Sequence, residues 1–415
     1  MFRYLVLKNI KPLLYILLII CWCFSHQFFA QETKKRTLFI EPEYMIGKVV
    51  PNHLNSFPST HLQHGLALNI GSLKTDTNSS WAKYFNYPQT GISLFYSNIG
   101  NDRIFGNQFS AMTFVAFNLF NKSKKPLYFK LSIGAAYFTT HYDSITNPKN
   151  VNVGSPFKWA FQAGVYKTIS EKSGMNLKLG LLFSHASNGH TQIPNFGLNS
   201  ALLSISAQFY DKELHNYQLI KSHLRVRPKL KSRDIGISYG LGFHEYGDTG
   251  LPVGGPKKLV HSTSIYTAKT VNHHFRWGVG ATYRYYDSYH YQITSRNLTD
   301  YESNPTKYAS NVVLFSNAEL LMGHVSIYTE LGINIYKPFY QQYEKDFPIG
   351  SHYRGYIKFK SHFKKLLSTR LGMNLYLLNT NKLPKHNFFI GPYIKANSGQ
   401  ADFSELSFGY IYRMN

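Results

Sequence analysis

The sequence predicts an all-β chain folded as a transmembrane antiparallel β-barrel, and three observations lead there. From Thr37 onward, segments of about ten residues alternate apolar with small or polar side chains, and polar turns separate them. A strand turns successive side chains to opposite faces, so each segment has one greasy and one polar surface. The chain also opens on a stretch with the form of a secretory leader. After that stretch no run of about 18 apolar residues remains to make a spanning helix. Any crossing must be made of strands, and in hydrocarbon strands pair all their backbone groups only by closing into a barrel.

The leader is Met1 to Ala30. It carries Arg3, Lys8 and Lys11, then the apolar run Leu13 to Phe24, then a small residue at Ala30, so cleavage is expected before Gln31. The alternative, an N-terminal membrane anchor, needs about 20 apolar residues, more than this run supplies. Cys21 and Cys23 both lie inside the leader, so the mature chain is expected to hold no disulfide or thiolate metal site. Neither cysteine follows a small-residue lipobox, which argues against a lipoprotein.

Composition agrees with a membrane barrel. Only 16% of the 415 residues are charged, against about 25% in average soluble domains. Aromatic residues are abundant, with 32 Tyr and 31 Phe, as interfacial girdles require. The net charge of +24 suits an anionic membrane surface or a phosphorylated glycolipid. Nucleic acid is not an expected partner, because the leader directs the chain away from the cytosol.

Strands are expected near 37–50, 62–73, 89–98, 108–120, 126–142, 157–169, 175–187 and 198–210. A second series is expected near 234–245, 258–269, 273–286, 309–322, 325–337, 352–363, 367–378, 386–397 and 402–413. The rows are plain in Leu127, Phe129, Leu131 and Ile133 of one strand, in Val325, Ile327, Leu331 and Ile333 of another, and in Leu406, Phe408, Tyr410 and Tyr412 of the last. The total is odd, whereas bacterial barrels normally have an even number. One strand is therefore missed or split, and Tyr289 to Ser295 is a candidate. A soluble sandwich or lipocalin-like barrel would turn the same apolar rows inward. The leader, the aromatic strand ends and the number of strands favour the membrane.

An internal echo divides the chain. Ile133-Gly134 returns as Leu331-Gly332, and Gly174-Met175-Asn176-Leu177 returns as Gly372-Met373-Asn374-Leu375, both after the same offset of 198 residues. The organisation expected is a leader over 1–30, a first β unit over 31–211, a basic linker over 212–232 and a second, duplicated unit over 233–415. The linker carries Lys212, Lys221, Arg225, Arg227, Lys229 and Lys231, with a break at Pro228. One large barrel of about 16 strands and two tandem barrels both fit this pattern.

The stretch with chemistry is the hairpin Gly174 to Phe209. Leu177, Leu179, Leu181 and Phe183 form the apolar row of one strand, and that row ends in His185 and Ser187. Ala201, Leu203, Ile205, Ala207 and Phe209 form the row of the return strand, which begins with Asn199. Polar groups that continue a lipid-facing row are expected to act on something apolar. Counted from a periplasmic N-terminus, the seventh strand runs outward, so His185, Ser187 and the loop Asn188 to Gly197 are expected at the outer rim. The offset of 198 places Leu383 and Lys385 where the first unit has His185 and Ser187, so the second unit is expected to be scaffold.

His185-Ala186-Ser187-Asn188, followed by Pro194-Asn195-Phe196-Gly197-Leu198, resembles the signature of PagL-type lipid A deacylases of the acyloxyacyl hydrolase family. These outer-membrane barrels remove the ester-linked 3-O-acyl chain of lipid A. The resemblance implies an eight-stranded catalytic barrel over 37–210 in the bacterial outer membrane, with lipopolysaccharide of the outer leaflet as substrate. It implies Ser187 as nucleophile and His185 as its base. Asn188, Gly189 and Asn195 are the implied oxyanion and supporting groups. The family uses a glutamate to orient the histidine, and Asn199 stands at that position. An amide can hold one imidazole tautomer, yet it cannot stabilise an imidazolium by charge. His190 is a second candidate base, but it lies in the loop.

No cofactor or metal is expected, because the 18 histidines are scattered and no HExxH, phosphate loop, nicotinamide fingerprint or GxSxG elbow occurs. The alternative function is a non-catalytic porin, transport or structural barrel with a degenerate motif. In that reading His185, Ser187 and Asn199 satisfy strand-end backbone groups, and Pro194 to Gly197 is turn chemistry.

Overall fold

Sixteen strands make two closed barrels, one after the other along the chain. The computed structural model describes residues 37–52, 57–73, 80–119, 125–212, 231–250, 255–347 and 363–414. The first barrel consists of β1 (Thr37–Val50), β2 (Gln63–Leu73), β3 (Gln89–Asn98), β4 (Asn107–Asn118), β5 (Leu127–Phe138), β6 (Phe157–Lys172), β7 (Met175–Ser187) and β8 (Leu198–Tyr210). Each strand pairs antiparallel with its neighbours in sequence, and β8 returns to β1 from Phe39↔Tyr210 to Val50↔Asn199. The second consists of β9 (Lys231–His244), β10 (Lys258–Val271), β11 (Phe275–Tyr286), β12 (Ser310–Met322), β13 (Val325–Tyr336), β14 (Leu367–Tyr376), β15 (His386–Asn397) and β16 (Gln400–Met414), closed by β16 on β9. Closure removes the unpaired edge that an open sheet would carry into lipid.

The two faces of each wall differ as a membrane barrel demands. Leu38, Ile40, Leu66, Ile70, Ile92, Leu94, Leu181 and Leu203 of the first barrel point outward and are exposed, as are Ile237, Ile265, Val279, Leu314, Leu331 and Phe408 of the second. The inward rows are polar and paired. In the first lumen Lys178 Nζ lies 2.9 Å from Glu41 Oε2, and Lys130 Nζ bonds Asn69 Oδ1 at 2.9 Å. In the second, Arg276 bridges Asp234 at 3.0 Å and Glu319 at 2.9 Å, and Arg370 bridges Glu330 and Glu405, both at 2.9 Å. Eight strands leave a bore that side chains can fill, and these barrels fill it. Met45, Phe95, Phe105, Phe138 and Leu202 add an apolar plug to the first lumen. A soluble barrel would show the reverse, with apolar side chains inside and ion pairs outside.

Of the two arrangements the sequence leaves open, two tandem barrels are the one found. Tyr289 to Ser295 is not a strand. It belongs to helix α2 (Asp287–Ser295), and a short α1 (Ser80–Tyr84) precedes it in the chain. Tyr289 and Ile293, four residues apart and so on one helical face, are buried among Tyr246, Tyr301 and Phe339, which cap the second barrel. The expected strand at 352–363 lies outside the described residues but for Phe363. Ile333 pairs directly with Leu367 across β13 and β14, so eight strands close without it. The leader 1–30 lies outside the described residues, and so does most of the linker 212–232, whose last two residues already belong to β9.

The echo is only half structural. Ile133 and Leu331 both lie in the fifth strand of their barrels. Gly174, however, makes the turn into β7, whereas Gly372 sits inside β14, the sixth strand of its barrel. The second barrel's seventh strand, β15, ends in Lys395-Ala396-Asn397 and carries no His-x-Ser pair.

Candidate active site

The β7–β8 hairpin builds the site through its register. His185 pairs with Asn199 across the two strands, so both side chains leave the same face. His185 Nδ1 lies 2.7 Å from Asn199 Oδ1. An amide oxygen can only accept, so Nδ1 carries the proton and Nε2 is left as the basic nitrogen. Two residues on, buried Ser187 accepts at Oγ from the Gly189 N–H at 3.2 Å and from Asn195 Nδ2 at 2.9 Å. Among the described residues no hydrogen bond joins His185 to Ser187. Both border Gly197 (φ +72°), where an added Cβ would fall 2.9 Å from His185 Cε1 and 3.5 Å from Ser187 Cβ. A larger residue at 197 would press on both.

The loop between the strands is shaped by its own polar side chains. Gly189 takes a left-handed backbone (φ +68°) that suits glycine and turns the chain sharply after Ser187. Asn188 holds the turn: its Oδ1 accepts from the His190 N–H at 3.0 Å, and its Nδ2 donates to Gln192 O at 2.7 Å and Ser155 Oγ at 3.0 Å. The orientation of the Asn195 amide follows from its partners. Lys158 Nζ donates to its Oδ1 at 2.8 Å, and the Asn188 N–H approaches the same oxygen at 3.4 Å. With Oδ1 occupied by donors, Nδ2 must face Ser187.

Exposure falls along the β7 row. Leu179, Leu181 and Phe183 are exposed, His185 is half-buried and Ser187 is only 5% exposed. His185 and Ser187 continue the outward row and do not enter the lumen, and loop 188–197 closes on the serine through Gly189 and Asn195. His190 lies away from it, with its ring 5.5 Å from that of His244 in a stacked arrangement. Burial lowers its basicity, and its Nδ1 has no hydrogen-bond partner among the described residues.

Sequence reasoning missed several residues here. Lys158 lies on the inward row of β6 and gives no local signal beyond a charge where the row is otherwise small or polar. Asn152 Nδ2 donates to Gly197 O at 2.7 Å and steadies the end of the loop. From the second barrel, Glu245 Oε2 accepts the Ile193 N–H at 3.0 Å, and Thr249 O accepts the Asn195 N–H at 2.8 Å. Ser404 Oγ donates to Asn188 O at 3.2 Å and accepts from Trp159 Nε1 at 2.9 Å. Nothing in the linear sequence marks these three. Among the described residues no group of three or more His, Cys, Asp or Glu is placed to hold a metal ion.

Comparison with known families matches residues 70–208 to the lipid A 3-O-deacylase (PagL) model and residues 232–375 to the model of an acyloxyacyl hydrolase C-terminal domain. Comparison with curated proteins finds no match. Among solved structures, the outer membrane enzyme PagL aligns at 16% identity and a TM-score of 0.30, over 40% of this chain and 97% of that one. CdiB from Acinetobacter baumannii aligns at 8% identity and a TM-score of 0.16, over 92% of this chain and 60% of that one. The outer membrane protein OpdK from Pseudomonas aeruginosa aligns at 10% identity and a TM-score of 0.20, over 91% and 98%. With one model matched on each barrel, the chain belongs to the PagL-type lipid A deacylase and acyloxyacyl hydrolase family of the bacterial outer membrane.

Proposed function

We propose that the protein is a carboxylic ester hydrolase that removes an ester-linked acyl chain from lipid A at the outer rim of its first barrel. The observation that carries this reading is the arrangement around Ser187. An imidazole oriented through Nδ1 stands on the same outward row, and two N–H donors converge on the serine oxygen. Lipid A supplies the ester from the outer leaflet, with its acyl chains along Leu177, Leu181, Phe183, Leu203 and Ile205 and its sugar-phosphate head at the rim.

Ser187 Oγ turns from its amide donors to His185 Nε2, gives up its proton and attacks the acyl carbonyl. The carbonyl oxygen becomes an oxyanion, and the Gly189 N–H and Asn195 Nδ2 bind it where they had bound Oγ. Collapse breaks the bond to the sugar oxygen, which leaves with the proton from His185. Water, deprotonated by the same imidazole, then attacks the acyl-serine and releases the fatty acid. Asn199 holds the Nδ1–H tautomer throughout. Catalytic hydrogen bonds are commonly loose before substrate binds, which accounts for the absent His185–Ser187 bond.

A porin reading requires an open lumen, and both lumens are occupied by ion pairs and aromatic side chains. The test is mass spectrometry of lipid A from cells with and without the protein. The wild type should remove the mass of one acyl chain, and Ser187→Ala and His185→Ala should abolish that loss while the barrels still assemble. Deacylation by both variants at the wild-type rate would refute the assignment.

A further inference from the structure

We infer that the second barrel is part of the catalytic apparatus, with Ser404 as a positioning residue for the oxyanion donor Gly189 N–H. This inference rests on the hydrolase reading above and adds to it a role for the half of the chain that lacks the His-x-Ser pair.

The peptide unit that joins Asn188 to Gly189 has two ends. Its N–H points at Ser187 Oγ at 3.2 Å, and its carbonyl oxygen accepts from Ser404 Oγ at 3.2 Å. A peptide group is planar and rigid, so whatever holds the carbonyl also aims the N–H. The hydroxyl of Ser404 is itself directed. It accepts from Trp159 Nε1 at 2.9 Å, which leaves its proton for Asn188 O. Trp159 is the cross-strand partner of Ser187, so the chain of contacts begins and ends at the nucleophile. Within the loop, Thr191 reaches the same carbonyl through its hydroxyl at 3.0 Å and its N–H at 3.5 Å, so donors come from both barrels.

The second oxyanion donor is held from the same side. Thr249 O accepts the backbone N–H of Asn195, and Glu245 Oε2 accepts that of Ile193. The approach is close: a Cβ at Gly189 would overlap Ser404 Oγ. Glycine at 189 therefore serves the left-handed turn and also makes room for the second barrel. None of these second-barrel groups touches Ser187 or His185, so their effect is on geometry. A misplacement of about 1 Å can cost 10²-fold in rate, and outright loss of an oxyanion donor costs about 10²–10³.

The experiment uses the full chain and purified lipopolysaccharide in detergent micelles, with kcat and KM measured separately. Ser404→Ala should lower kcat about 10-fold, since Thr191 retains part of the hold, a loss smaller than that of a whole donor. KM should stay within about twofold, because lipid contacts lie on other strands. Ser404→Thr, which keeps the hydroxyl, should restore kcat. If Ser404→Ala does not assemble, Glu245→Ala and Glu245→Gln decide in its place. Glutamine can still accept the Ile193 N–H, so only the alanine variant should lose kcat. Wild-type kcat in Ser404→Ala or Glu245→Ala, or equal loss in the rescuing variant, overturns the positioning role and leaves the hydrolase reading standing. A wild-type chain that cannot deacylate lipopolysaccharide overturns both.

Discussion

Asn199 is the sharpest point at which to perturb the site, because it stands where the resemblance expects a glutamate and contacts the histidine directly. Asn199→Leu keeps the volume but removes the oxygen that lies 2.7 Å from His185 Nδ1. The imidazole can then rotate or take the other tautomer, a fault that costs triad hydrolases up to about 10⁴ in kcat. A fall of about 10² to 10⁴ is expected here. Asn199→Asp places a carboxylate oxygen at the same site. Unit charges 4 Å apart interact by about 4 kcal/mol at an effective dielectric near 20. Desolvation of the half-buried carboxylate offsets part of that gain. A net stabilisation of about 1–2 kcal/mol for the imidazolium would raise kcat roughly 10-fold. The assay is the time course of the acyl-chain mass loss from lipid A, run on barrels shown to be folded. Wild-type kcat in the leucine variant would refute the orienting role, and an aspartate variant as slow as the leucine one would refute the charge argument.

Other outcomes follow from the same geometry. Asn195→Ala removes one donor to Ser187 and should lower kcat by about 10²–10³ with little change in KM. Lys158→Met should lower kcat less, because it only frees the Asn195 amide to turn; steady-state kinetics on lipopolysaccharide separate the two. In the second lumen, Arg276→Met leaves buried Glu319 without its paired cation, while Asp234 keeps Arg413, and should destabilise that barrel by about 3–5 kcal/mol, read from the urea midpoint. Burial pushes the Lys337 ammonium down to about 7, below its unfolded value of about 10.4. Between those values the folded chain binds fewer protons, so stability rises with pH over that window. Lys337→Met should remove that rise in urea midpoints measured from pH 7 to about 10.

Under the proposed hydrolase reading, a filled lumen bears on the route of the substrate. Arg276, Arg370, Lys178 and their carboxylate partners occupy the bores, and His185 continues the outward row of β7 after exposed Leu181 and Phe183. That reading therefore expects the ester to arrive from the lipid side.

Much of this was legible in the linear sequence, because period-two alternation is local. Each of Leu179, Leu181 and Phe183 declares its face through its immediate neighbours, and all sixteen strands could be read that way, with the 352–363 segment as the one addition. The pairing of His185 with Asn199 was also legible, since a hairpin joins residues close in sequence. Tyr289 to Ser295 misled, because a short aromatic run suits a strand or a capping helix equally until packing against Phe339 decides. By itself, then, the sequence determined the β class, the greasy and polar rows, and the motif on its row. The tertiary structure alone decided that β8 returns to β1 and β16 to β9, which makes two barrels of one chain. It alone brought Ser404 to Asn188 across 216 residues and Lys158 to Asn195 across 37. Closure and docking depend on surfaces assembled from many strands at once, and no window of neighbouring residues carries that information.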